Sequence, residues 1–196
     1  MYPALFLAPQ PAVSSRLLLL FRPLLLLPHM FWALLYGLAA MLMQFCSFWA
    51  IMFTGRHPRA LWRFLEGYMR YRTRLSAYVM LLSDRYPPFG GTGDGYPVRM
   101  HIEYPVRLSR AAVLFRILLL FPHMFYGIGF AFVVGLVQLL QFWTVLLLGR
   151  MASWQYDWIH SWFIYSSRID AYFLYLVDEY PPFNGQQPRA AAEVFP

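Results

Sequence analysis

The sequence predicts an all-α integral membrane protein of two homologous units, and three observations carry that reading. Of its 196 residues 60% are hydrophobic, 20% aromatic and only 13% charged, far from the usage of soluble domains. Two runs without formal charge apart from a histidine, 28–54 and 122–148, each hold the roughly 20 apolar residues that a bilayer crossing needs. The chain also repeats: a shift of 94 residues aligns 11–91 with 105–185 without a gap, and 30 of the 81 positions are identical. A period of this length marks the duplication of a whole unit. The units are therefore 1–91 and 105–185, with 92–104 as a linker or short strand and 186–196 as a polar tail.

Each unit begins with a short apolar run, Leu17–Leu27 or Ala111–Phe121, interrupted by Arg22 or Arg116. About 11 residues are too few to span, so an interfacial or re-entrant pre-helix is expected, bending at the proline that follows. That proline opens the box PHMF, at 28–31 and again at 122–125, and the box opens the crossing. If each unit crosses once the two copies are inverted, and if the pre-helix also crosses they are parallel.

An amphipathic helix comes next, over 58–83 and 152–177. In the first, Arg59, Arg63, Glu66, Arg70 and Arg74 recur every three or four residues, opposite Phe64, Leu65, Tyr68, Tyr71, Leu75, Tyr78, Val79 and Leu82, with Arg72 as the exception. Such a helix lies flat in a headgroup layer, with Arg63, Arg70 and Arg74 as lipid or partner contacts, or covers a helix bundle. In the second, Ser153, Asp157, Ser161 and Arg168 form a weaker polar stripe, and Trp154, Trp158 and Trp162 enrich the rest as contact residues. Both helices end at D-x-YPPF, Asp84–Phe89 and Asp178–Phe183, where two prolines forbid further helix and Tyr86 and Tyr180 can anchor at an interface. The pairings Arg74 with Asp84 and Arg168 with Asp178 suggest a recurrent ion pair at this turn. Between the units, GGTGDG at 90–95 reads as a flexible turn and 96–107 alternates as a short strand would.

Reactive chemistry is missing from this pattern. His29 and His123 stand where an imidazole could bind haem, relay a proton or brace the proline bend, and the bracing role is expected because neither has a second ligand three or four residues away. No HExxH, CxxC, GxSxG, P-loop or GxGxxG occurs, so catalytic, cofactor and metal residues are all expected to be none. Cys46 is the one cysteine. The net charge of +7 suits anionic lipid, whereas arginines interleaved with leucine and aromatic runs make no nucleic-acid groove. The N-terminus has neither the basic region nor the long apolar region of a signal peptide.

Taken together, YPVR, E-Y-P-x-R-L-S-R, the arginine-bearing leucine run, PH before a crossing, G-R after it, R-x-x-A-Y and D-x-YPPF resemble the bacterial membrane family known as domain of unknown function 4389. The resemblance covers nearly the whole chain as two copies, the first lacking the YPVR strand and carrying Pro23 inside its arginine-bearing run. It implies a membrane location and this repeat, and supplies no established activity, catalytic residue or cofactor. The expectation is thus a non-enzymatic accessory or scaffold subunit of the bacterial inner (cytoplasmic) membrane, multi-pass, packed against a larger membrane complex and its lipids. The alternative is a lipid-handling or small-solute transport protein built from an internal repeat.

Overall fold

A computed structural model describes residues 2–90 and 95–187. In chain order the elements are β1 (Ala4–Leu7), α1 (Arg16–Thr54), α2 (Arg59–Val79), β2 (Arg99–Ile102), α3 (Arg110–Leu114), α4 (Arg116–Leu148) and α5 (Ser153–Phe173). The fold is mostly helical, with one addition to the expected all-α class: β1 and β2 form an antiparallel pair. The stretch 92–104, expected as a linker or short strand, contains β2, and β1 is its counterpart in the first unit, where no strand is expected, since the shift of 94 carries Tyr2-Pro3 onto Tyr96-Pro97. Most of the GGTGDG turn, and the tail beyond residue 187, lie outside the described residues.

The expected pre-helices do not stand apart. Ser15 caps α1, its hydroxyl accepting from the Leu18 amide at 3.3 Å, and the helix runs through Pro23 and Pro28 until Gly55 closes it at φ 70°. Ser109 and Gly149 do the same for the second copy. There Phe115, at φ −94°, separates α3 from α4, yet its amide still bonds Ala111 at 3.0 Å and its carbonyl accepts from Leu119 at 2.8 Å. A proline forfeits one backbone bond, which does not break a helix whose neighbours supply another donor. The hydroxyls of Tyr86 and Tyr180 donate to the carbonyls of Leu25 and Leu119, each next to the Leu24 or Leu118 carbonyl that Pro28 or Pro122 leaves without its helical donor. Both α1 and α4 are long and apolar enough to cross a membrane.

The helices α2 and α5 are shorter than the predicted 58–83 and 152–177. Leu81 and Tyr175 take φ 60°, and the amides of Leu82 and Leu176 reach back to Ala77 and Ala171 at 2.9 and 3.0 Å. This six-to-one closure ends each helix and turns the chain back toward α1 or α4. Packing of α1 on α2 then repeats every seven residues: Arg22 meets Tyr78, His29 meets Tyr71 and Tyr36 meets Phe64. In the second unit Arg116 meets Tyr172, His123 meets Tyr165 and Phe130 meets Trp158. Equal steps in opposite directions mean that the paired helices run antiparallel along a seam.

A near two-fold axis relates the units. Shifting by 94 carries the pair Leu7–Arg99 into the same register and carries Phe6 onto Met100, its own partner, so the axis passes through that pair. The long helices obey the same exchange. Ser14 N–H donates to Gly149 O at 3.0 Å and Leu108 N–H to Gly55 O at 3.1 Å, tying the start of each long helix to the end of the other. Arg16 and Arg110 reinforce these junctions through the carbonyls of Leu147 and Phe53, at 2.8 and 3.1 Å. The two rods therefore run in opposite directions. Beneath the sheet, Phe6, Met100 and Ile102 pack with Leu65, Met69, Phe163 and Ile164 as one core.

Candidate functional site: a repeated staple and an apolar face

Arg22 is 4% exposed and Arg116 1%, although each lies in a leucine run. The carboxylate of Asp84 meets the Arg22 guanidinium at 2.7 Å, and Asp178 meets Arg116 at 3.4 Å. The second carboxylate oxygen accepts from the Ser15 amide at 2.7 Å, or from Ser109 at 3.1 Å, so one aspartate serves a buried cation and a helix start. Each guanidinium also donates to a tyrosine carbonyl, Tyr78 or Tyr172, and lies 4.2 or 4.0 Å from that ring's centre. This corrects the predicted ion pairs: the aspartates bind Arg22 and Arg116, not Arg74 and Arg168. The reversal at Leu81 and Tyr175 carries each aspartate to the long helix and away from the arginine on its own amphipathic helix.

One heptad further along lie the histidines. His29 and His123 are buried, with Nδ1 3.1 and 3.0 Å from the hydroxyls of Tyr71 and Tyr165. Each tyrosine hydroxyl also lies 3.3 Å from the histidine's own carbonyl. Phe89 and Phe183 stack on the imidazoles at 4.3 and 4.0 Å between centres, and Tyr86 and Tyr180 tilt against them at 4.8 and 4.9 Å. PHMF and YPPF are therefore the two halves of one staple. Among the described residues, no three of His, Cys, Asp or Glu gather where they could hold a metal ion.

Arg74 and Arg168 are buried and are exchanged between units. Arg74 lies 5.3 Å from the ring of Tyr96, which precedes β2, and Arg168 5.2 Å from that of Tyr2, which precedes β1. Burial raises both phenols above the ordinary tyrosine range, against the pull of the neighbouring guanidiniums. Arg168 further donates to the carbonyls of Asn184 and Gln186 at 3.3 and 2.8 Å. The other stripe residues are differently placed: Arg63 is exposed, while Arg70 is half-buried and paired with Glu66. Trp154 and Trp158 are exposed, and Trp162 is half-buried against Phe130 and Tyr165.

The largest exposed surface is apolar. On α1 the exposed side chains from Leu17 to Phe53 include no charge, and the same holds on α4 from Ile117 to Leu148. Sequence reasoning passed over Arg22, Arg116, Tyr71, Tyr78, Tyr165 and Tyr172 as site residues. The signal available was that all are identical between the copies and spaced by sevens.

No curated protein and no solved structure matches the chain. A family model does, at residues 16–90 and again at 110–184, described as a domain of unknown function. Each match runs from the arginine that opens the long helix to the end of the YPPF turn, which are the limits of the staple. The chain belongs to the family of domain of unknown function 4389 and carries it as two tandem copies.

Proposed function

We propose that the protein is a non-catalytic accessory or scaffold subunit of a membrane protein assembly in the bacterial cytoplasmic membrane, working by contact. The observation that carries this reading is the uncharged exposed face of α1 and α4, beside which stand Trp154 and Trp158. Monomeric soluble proteins seldom expose a continuous apolar patch of this extent, so acyl chains, partner helices or both cover it. The buried ion pairs and histidine–tyrosine contacts of the staple join each amphipathic helix and its YPPF turn to α1 or α4, which suits a scaffold. Arginines at the helix junctions, Arg16 with Arg150 and Arg56 with Arg107 and Arg110, suit anionic headgroups at the rim of that face.

One observation favours the lipid-handling alternative: an apolar groove lined by Ala33, Tyr68, Leu75 and Val79, with Arg72 at its edge. Replacing Trp154, Trp158 and Trp162 together by leucine separates the readings. Leucine keeps the face apolar, so insertion persists, while loss of three large amphipathic rings weakens capture of the partner in mild detergent by ten-fold or more, roughly the effect of one interface hot spot. Lipid or solute transfer by the purified protein alone, unchanged in the triple variant, would favour lipid handling.

A further inference from the structure

We propose that α1 and α4 do not cross the bilayer: both lie embedded in a single leaflet, with the two-fold axis along the membrane normal, their exposed faces among acyl chains and the β1–β2 sheet in water. This rests on the membrane residence proposed above and replaces crossing by in-plane embedding.

Length is the first reason. The exposed apolar residues of α1 run from Leu17 through Leu24, Phe31, Leu38 and Phe45 to Phe53, which at 1.5 Å per residue is roughly 54 Å. A bilayer core is about 30 Å thick. Fitting that stripe into the core would take a tilt of roughly 55°, beyond the 0–40° range of membrane helices. Lying in one leaflet, the whole stripe stays among the chains.

The axis is the second reason, and it is independent of the first. Two helices that cross in opposite directions can be exchanged only by a two-fold axis lying in the membrane plane, at mid-depth. Here the axis passes through Phe6 and Met100. Arg99, His101 and Glu103 are exposed on that same strand segment, within three residues of the axis, or about 10 Å. Crossing would therefore hold the exposed, charged edge of β2 inside the hydrocarbon, where such groups occur only against protein or a water-filled cavity. With the axis along the normal, the sheet is the part of the molecule farthest from the lipid.

Charge on the amphipathic helices follows the same division. Thr73 of α2 faces the sheet, where its hydroxyl meets the Met100 sulfur. Arg59, Arg63 and Arg70 lie within about 80° of Thr73 around the helix, while Leu61, Leu75 and Val79 lie about 120–160° from it. On α5, Asp157 lies about 80° from Ser167, the counterpart of Thr73, and Trp158 and Trp162 about 140–180° from it. Arg59, Arg63, Arg70 and Asp157 thus sit toward the sheet and leucine and tryptophan toward the lipid, with Arg72 as the exception, exposed beside Leu75 and Val79 and paired with Asp170 at 3.3 Å.

The test uses the full chain with Cys46→Ser and single cysteines introduced by Ala12→Cys, Arg56→Cys, His101→Cys or Arg150→Cys, all at exposed positions. Sealed right-side-out and inverted membrane vesicles from expressing cells are treated with a membrane-impermeant maleimide. All four sites are expected to label in one vesicle orientation and in that one alone. Labelling of positions 12 and 150 from one side and of 56 from the other would establish crossing and overturn the proposal, as would a position 101 protected in both orientations. Spin labels at Leu20, Leu34 and Trp49 give a second readout: equal depth is expected, and a maximum at Leu34 with shallow ends would again overturn it. Release of the unmodified protein by alkaline carbonate would instead defeat membrane residence itself, an outcome distinct from either topology.

Discussion

Arg22 and Arg116 take full positive charge into apolar runs, and a guanidinium persists there only when its donors are met and its charge is countered. Asp84 and Asp178 supply the counter-charge and accept from one arm of each guanidinium, the carbonyls of Tyr78 and Tyr172 accept from the other, and each aspartate also bonds the amide that starts the long helix. Asp84→Ala removes the counter-charge and leaves the cation buried, so a destabilisation of about 3–5 kcal/mol is expected. Equilibrium unfolding in mixed detergent micelles measures it, and Arg22→Met added to Asp84→Ala should recover a large part. If the single variant costs as little as an exposed pair, about 0–1 kcal/mol, the staple is not what holds α2 to α1. That Arg22 and Asp84 matter was legible, since both recur in the second copy. That they meet each other was not: Arg74 stands only ten residues from Asp84 and was the nearer candidate, but the left-handed turn at Leu81 sends the aspartate elsewhere.

At the scale of elements, the heptad seam and the prolines belong together. Tyr86 donates to the Leu25 carbonyl beside the site of the bond that Pro28 forfeits, and the run that looks like a separate pre-helix joins the long helix without a break. The sequence reads as a bend at this proline because it does not state which tertiary donor stands nearby. Strand β1 was missed for a related reason: four residues, Ala4–Leu7, carry little pattern, and they form a strand because Arg99–Ile102 offer an edge. Deleting residues 2–8 should therefore uncover Phe163 and Arg168 and free β2. Amide exchange at 99–102 should rise to the rate of an unprotected loop while the middle of α1 stays protected. Unchanged protection at 99–102 would show that α2, and not β1, holds that strand.

For the whole molecule, the two-fold exchange makes each unit depend on the other. Arg74 of the first unit packs on Tyr96, at the entrance to the second, and Arg168 on Tyr2. Each long helix is tied to the far end of its counterpart. Residues 1–94 expressed alone should consequently be degraded or aggregate, and co-expression with 95–196 should restore a stable pair that co-purifies. A first half that is stable and monomeric by itself would contradict this dependence. By itself the sequence determined the mostly helical character, the duplication, the two long apolar helices and the repeated positions, because composition and periodicity are properties of the chain read in order. Only the tertiary structure decided which aspartate neutralises which arginine, where β1 finds its partner and how the copies face one another. Those depend on groups brought together from 56 to 166 residues apart, and no local pattern records the turn angles that bring them into contact.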